Sequence, residues 1–178
     1  MNMKNLKLLL LTAIAVLISS CVTLVHEGSH SRLPVKDIVV VLMPPFRNAT
    51  TYENAGIAVR ETVGSAFYKH GVKLYQTEKD ILENEKKGAA GIDGVYSAVV
   101  KTNPDVTHLL IGTVHEYKYK TDLNGDPVVG FTLRLVDPKT GATQWQGTAS
   151  HTGVGFSSLS SITQHASNKI VYGIPWGE

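Results

Sequence analysis

The stretch Thr107-His-Leu-Leu-Ile-Gly-Thr-Val-His-Glu-Tyr-Lys-Tyr-Lys120 decides the fold. It is rich in β-branched and aromatic residues, which fit a pleated, half-buried surface. Its start, His108-Leu-Leu-Ile111, reads as buried. Its end alternates, with Val114, Glu116, Lys118 and Lys120 on one face and Thr113, His115, Tyr117 and Tyr119 on the other. Leu123-Asn-Gly-Asp126 follows as a hairpin loop, because Asn-Gly tolerates the positive φ that tight hairpins require. Val128 to Val136 is then the return strand, with Val129, Phe131, Leu133 and Leu135 on one face. Asp137-Pro-Lys-Thr-Gly141 turns the chain again: Pro138 presets φ and Gly141 takes the left-handed position. Thr143 to His151, carrying Trp145, completes a three-stranded antiparallel meander.

The residues before the meander have a different period. Asp37-Ile-Val-Val-Val-Leu-Met43 is apolar after its first residue and suits a central strand buried on both faces. Pro44-Pro45 stops it, and a loop runs to Asn54, which is positioned to cap a helix. In that helix Ile57, Val59, Val63, Ala66 and Phe67 recur at helical spacing, and Gly71 ends it. Val72 to Tyr75 is a short strand. Thr77 to Lys87 and Ile92 to Val100 read as two further helices. After the meander, Ser157 to Tyr172 is a final helix with Leu159, Ile162, Ala166 and Ile170 as its stripe. The order predicts a single-domain α/β sandwich, in which a mixed sheet ending in an antiparallel meander is flanked by helices.

The N-terminus carries a different message. Lys4 and Lys7 precede an apolar run from Leu8 to Ile18, broken only by Thr12. That run is shorter than the ~20 residues a spanning helix needs, and it fits the apolar core of a secretion signal. Ile18-Ser-Ser-Cys21 then resembles the lipobox of bacterial lipoproteins, with Cys21, the sole cysteine, as the acylated first residue of the mature chain. A single cysteine excludes an intrachain disulfide. The resemblance implies attachment by two or more acyl chains, which gives stable anchoring. The expected divisions are residues 1–20 as signal, 21–35 as lipidated cysteine and tether, and 36–178 as the periplasmic domain. Fully extended, the tether from Val22 to Pro34 reaches about 45 Å. Removing the signal takes away Lys4 and Lys7 and leaves 15 basic against 15 acidic side chains, a net charge of zero. Nucleic-acid binding would call for a basic stripe, so nucleic acid is not expected as a partner.

Catalytic motifs are weak. His26-Glu-Gly-Ser-His30 matches the H-E-x-x-H zinc pattern, whose chemistry needs both histidines on one helical face. Gly28 and Ser29 disfavour a helix, and no apolar periodicity surrounds them, so the match reads as chance. His108, His115, His151 and His165 are scattered. Gly153-Val-Gly155 before Ser157 lacks the third glycine and the lysine of phosphate loops. It reads as a turn followed by a serine cap, Ser157 or Ser158. The chain is therefore expected to be no enzyme, with no cofactor and no metal site. Phe156 and Trp176 are the large aromatics outside element interiors. The sequence leaves Phe156 open between core and lipid–water interface.

The segments Gly112 to Lys120, Leu123-Asn-Gly-Asp-Pro127, Val129-Gly-Phe-Thr-Leu133, Asp137, Thr140-Gly141 and Trp145 together resemble the PelC family, outer-membrane lipoproteins of Pel exopolysaccharide secretion. Leu42-Met-Pro-Pro-Phe-Arg-Asn-Ala-Thr50 and Gly56-Ile-Ala-Val59 fit the same type of domain, and the resemblance runs from about Val39 to Val171. It implies a lipid-anchored homo-oligomeric ring on the periplasmic face of the outer membrane, guiding a cationic exopolysaccharide toward an export pore protein. It further implies that Cys21 anchors the ring and that Phe156, where relatives tend to have Trp, dips into the lipid interface. Asp126, with Asp122 and Glu116, would make the channel acidic. Lys118 and Lys120 lie beside those acids, so this role requires charges segregated by face. The broader fold is similar to LpoB and CsgG. An LpoB-like regulator of a cell-wall synthase is the alternative, though it normally has a longer tether. A CsgG-like pore would need additional spanning strands.

Overall fold

The computed structural model describes residues 23–28, 38, 40–76, 104–121, 125–154 and 156–176. The signal, Cys21, Asp122 and the two helices expected between Thr77 and Val100 lie outside them. The elements in chain order are β1 (Thr23–Gly28), β2 (Val40–Met43), β3 (Arg47–Asn48), α1 (Ala55–Lys69), β4 (Lys73–Gln76), β5 (His108–Tyr119), β6 (Pro127–Val136), β7 (Thr143–Thr152) and α2 (Leu159–Tyr172). One mixed sheet has the order β1-β7-β6-β5-β2-β4, and β3 also pairs with β5. β2 runs parallel to β4 and β5, while β5, β6, β7 and β1 pair antiparallel in turn. This is the expected α/β architecture with its C-terminal meander.

Both helices pack on one face of the sheet. Val59, Val63, Ala66 and Phe67 of α1 and Leu159, Ile162, Ala166 and Ile170 of α2 join Leu110, Val114, Phe131, Leu133, Leu135 and Trp145 in one core. Leu109, Ile111, Val128 and Val136, of opposite parity on β5 and β6, are buried as well. Turn chemistry follows the sequence. Gly125 and Gly141 take φ of 59° and 70°, and the Asp137 carboxylate accepts the Lys139 N–H at 2.7 Å.

Four details differ from the expectation. First, Thr23–Gly28, expected within the tether, forms an edge strand on β7, with Thr23 opposite His151 and Gly28 opposite Gln146. The open edge of β7 offers unpaired backbone groups that an extended segment can satisfy, and no local pattern reveals this. Second, β5 does not alternate uniformly. Its register against β6 shifts between Val114 and Glu116, so His115 is the extra residue of a bulge. Beyond it the faces exchange, and Tyr117, expected opposite to Val114, joins Val114 in the core. Third, Ile57 is exposed rather than part of the α1 stripe. Fourth, Asn54 sits at the α1 start in the left-handed region (φ 60°) and makes no side-chain cap. Asparagine is one of the few non-glycine residues that visit that region readily.

Candidate functional site

Three stretches that the sequence singles out meet at one end of the sheet: the end of β5, the hairpin base and the loop after β7. There β5 and β7 finish, β6 begins, and both helices start. Tyr119 pairs with Pro127 across β5 and β6, and the Lys120 N–H donates to the Asp126 carbonyl at 2.8 Å. The Gly153 N–H donates to the Pro127 carbonyl at 2.8 Å. Backbone bonds thus tie the hairpin base to the loop before α2.

That loop is built to hold a side chain outward. The Ser157 hydroxyl donates to the Val154 carbonyl at 2.9 Å, and the Ser157 N–H donates to the same carbonyl at 3.3 Å. At Gly153 a Cβ would lie 2.6 Å from Ser157 Cβ, 2.8 Å from Pro127 Cγ and 2.9 Å from Ile162 Cγ2, so the closure depends on glycine. Ser158 then caps α2 through a reciprocal box with Ser161. The Ser161 N–H donates to Ser158 Oγ at 3.1 Å, and the Ser158 N–H donates to Ser161 Oγ at 3.0 Å. The serine cap expected from the sequence is Ser158, while Ser157 shapes the loop. Phe156 stands entirely in solvent at its tip. Trp176 instead folds onto the core edge, stacked on His70 at 4.8 Å and donating its indole N–H to the Val171 carbonyl at 3.0 Å.

The acids are unequal. Glu116 lies just past the bulge, opposite Gly130, and its carboxylate is 3.5 Å from the Lys118 ammonium. An exposed pair of this kind contributes little stability, but it offsets the Glu116 charge locally. Asp126 is half-buried at the hairpin base and enters none of the ion pairs among the described residues. Asp126, just before β6, and the Gly130 that faces Glu116 are four residues apart in the chain, ~14 Å when extended. That spacing does not make the two acids a catalytic carboxylate pair.

The histidines are dispersed. His108 bonds Gln144 Oε1 at 2.8 Å, and His115 bonds Thr132 Oγ1 at 3.0 Å. His151 stacks on His165 with ring centres 4.9 Å apart. Burial pushes His151 below its ordinary pKa, and the nearby His165 and Lys169 charges add to that. Burial likewise pushes the Tyr117 phenol up, against a hydrogen bond with Thr163. Among the described residues no three His, Cys, Asp or Glu side chains cluster as a metal site. His26 and Glu27 belong to the extended β1 rather than to a helix; His30 lies outside the described residues. No helix among the described residues is long and apolar enough to cross a membrane.

No protein-family model matches this chain, and no curated protein matches it by sequence. Solved structures do match. The PelC dodecamer from Paraburkholderia phytofirmans aligns with a TM-score of 0.70 at 24% identity, covering 88% of this chain and 100% of that one. A variant PelC dodecamer from the same organism gives 0.67 at 24% identity, covering 84% and 96%. Lipoprotein GNA1162 from Neisseria meningitidis gives 0.56 at 18% identity, covering 76% and 97%. At these identities the likeness is one of fold: this chain has the fold of PelC.

Proposed function

We propose that this chain is a non-catalytic outer-membrane lipoprotein. It assembles side by side into a ring and guides a cationic exopolysaccharide toward an export pore protein. Fold likeness to a dodecameric protein over that protein's full length supports the assembly. The observation that carries the reading is the convergence of two membrane features at one end of the fold. Thr23, the first residue of β1, is opposite His151 near the end of β7, and the loop tipped by Phe156 starts two residues later at Gly153. Cys21 is two residues before Thr23, a span of at most ~7 Å. The acyl chains and the exposed Phe156 ring would therefore enter the same leaflet together. Burying one such ring is worth about 1.5–3 kcal/mol, and a ring of subunits multiplies it.

Pairing of β1 also leaves only Cys21 and Val22 between the acyl chains and the sheet, where a tether as far as Pro34 was expected. That favours work against the membrane over reach through the periplasm, and so disfavours an LpoB-like regulator. Asp126, with Asp122, would make the membrane-proximal mouth of the channel acidic. Glu116 contributes less, because Lys118 offsets it. Light scattering of the mature chain carrying Cys21→Ser tests the assembly. A stable high-order oligomer is expected, and a monomer at high concentration would sink the proposal.

A further inference from the structure

Seven large apolar side chains are exposed among the described residues, and four of them, Tyr52, Tyr119, Val154 and Phe156, sit on the loops and strand end where β5 and β7 finish. We infer that these four form one lipid-contacting face, so that the membrane surface of each subunit is a patch rather than a single ring. This rests on the membrane reading of Phe156 above and extends it to two tyrosines that no sequence motif indicates.

Neighbouring backbone and ring contacts link the elements that carry the four residues. Tyr119 shares a face of β5 with Tyr117, and Tyr52 packs edge-on against Tyr117 with ring centres 5.0 Å apart. The Gly153 N–H meets the Pro127 carbonyl, and Pro127 pairs with Tyr119. Two strand spacings, ~10 Å, therefore separate Tyr119 from the start of the Phe156 loop. The turn that carries Tyr52 is held by its own local bonds. Asn48 Oδ1 accepts from the Thr50 N–H at 3.0 Å, and Asn48 Nδ2 donates to the Tyr52 carbonyl at 2.7 Å. With the Ser157 bonds to Val154, ordered turns present both ends of the patch.

The chemistry selects a lipid surface over a sugar chain. Val154 and Phe156 bring no polar side-chain group, whereas a sugar platform needs hydroxyl partners beside its rings. Tyrosine, with an apolar body and a polar tip, favours the headgroup level. Lys120, exposed and next to Tyr119 in sequence, suits anionic headgroups.

Cys21 is the sole cysteine, and acylation consumes its thiol, so an introduced cysteine is a unique labelling site. The acylated full chain is reconstituted in vesicles of phosphatidylethanolamine and phosphatidylglycerol. Nitroxide is attached at Tyr52→Cys, Tyr119→Cys and Phe156→Cys, with Tyr68→Cys and Tyr172→Cys as exposed controls at the far ends of the two helices. Thr121→Cys, exposed just past the end of β5, replaces Tyr119→Cys if that variant misfolds. Power saturation then compares collisions with oxygen, which partitions into lipid, and with a nickel chelate, which stays in water. Labels at 52, 119 and 156 are expected to favour oxygen, and the controls to give the aqueous ratio. Aqueous ratios at 52 and 119 with an immersed label at 156 would overturn this inference and leave the Phe156 reading intact; that is also the outcome if the tyrosines meet a polysaccharide. Aqueous ratios at all three would overturn both.

Discussion

Replacing Gly147 by alanine tests how the core holds Trp145. The two residues share a face of β7, two positions apart, and the indole lies over the glycine. A Cβ at Gly147 would stand 2.7 Å from Trp145 Cζ2 and Cη2, which is 0.7 Å inside the 3.4 Å of ordinary contact. It would also stand 3.2 Å from Ile170 Cγ1. Both neighbours are essentially fully buried, Trp145 at 1% and Ile170 at 0% exposure, so neither can swing into solvent. Overpacking of this kind costs roughly 1–3 kcal/mol. Alanine restrains the unfolded chain relative to glycine and recovers up to about 1 kcal/mol. A net destabilisation of about 1–2 kcal/mol is expected, read as a urea midpoint lower by about 0.5–1 M. Protein concentration must be held fixed, because assembly adds to apparent stability. The double-mutant cycle decides the cause. Trp145→Leu opens the space over Gly147, so Gly147→Ala should cost nothing or stabilise by up to about 1 kcal/mol in that background, a coupling of about 1–3 kcal/mol. Equal costs of Gly147→Ala in the two backgrounds would refute the steric account.

Ser158→Ala removes the capping box of α2 and should cost about 1 kcal/mol, or about 2–4 °C in melting temperature for a chain of this size. Phe156→Ser should leave the urea midpoint unchanged, because the ring is entirely exposed. In the chain with Cys21→Ser, the same change should weaken vesicle binding by about tenfold or more, measured by flotation. His151 gives a pH dependence. Its folded pKa lies below the ordinary 6.5, so the unfolded chain binds the proton more tightly. Stability from this group is complete above about pH 6.5 and is lost as pH falls from there toward the lower folded value. Urea midpoints should therefore drop between about pH 6.5 and 5, before carboxylates titrate, and His151→Gln should flatten that slope.

The sequence by itself determined the elements and their order wherever a signal is local. The meander follows from period-two alternation on β6 and from Gly125 and Gly141, whose left-handed backbone the turns require. The two described helices follow from their apolar stripes, and the α2 start from its serines. Tertiary structure alone decided what depends on partners distant in the chain. Pairing of Thr23–Gly28 with β7 depends on an open strand edge more than a hundred residues away. The bulge at His115 is set by registration against β6, and it turns Tyr117 onto the Val114 face and into the core. Reading the sequence puts Tyr117 on the face opposite Val114, because simple alternation cannot register an inserted residue. The exposure of Phe156 is likewise a tertiary matter, since a phenylalanine after a glycine-rich turn is equally compatible with core and surface. The backbone closure at Gly153 and the Ser157 bonds to Val154 resolve it. Periodicity records what each residue does within its own element; close packing and strand pairing between elements decide where that element's ends point.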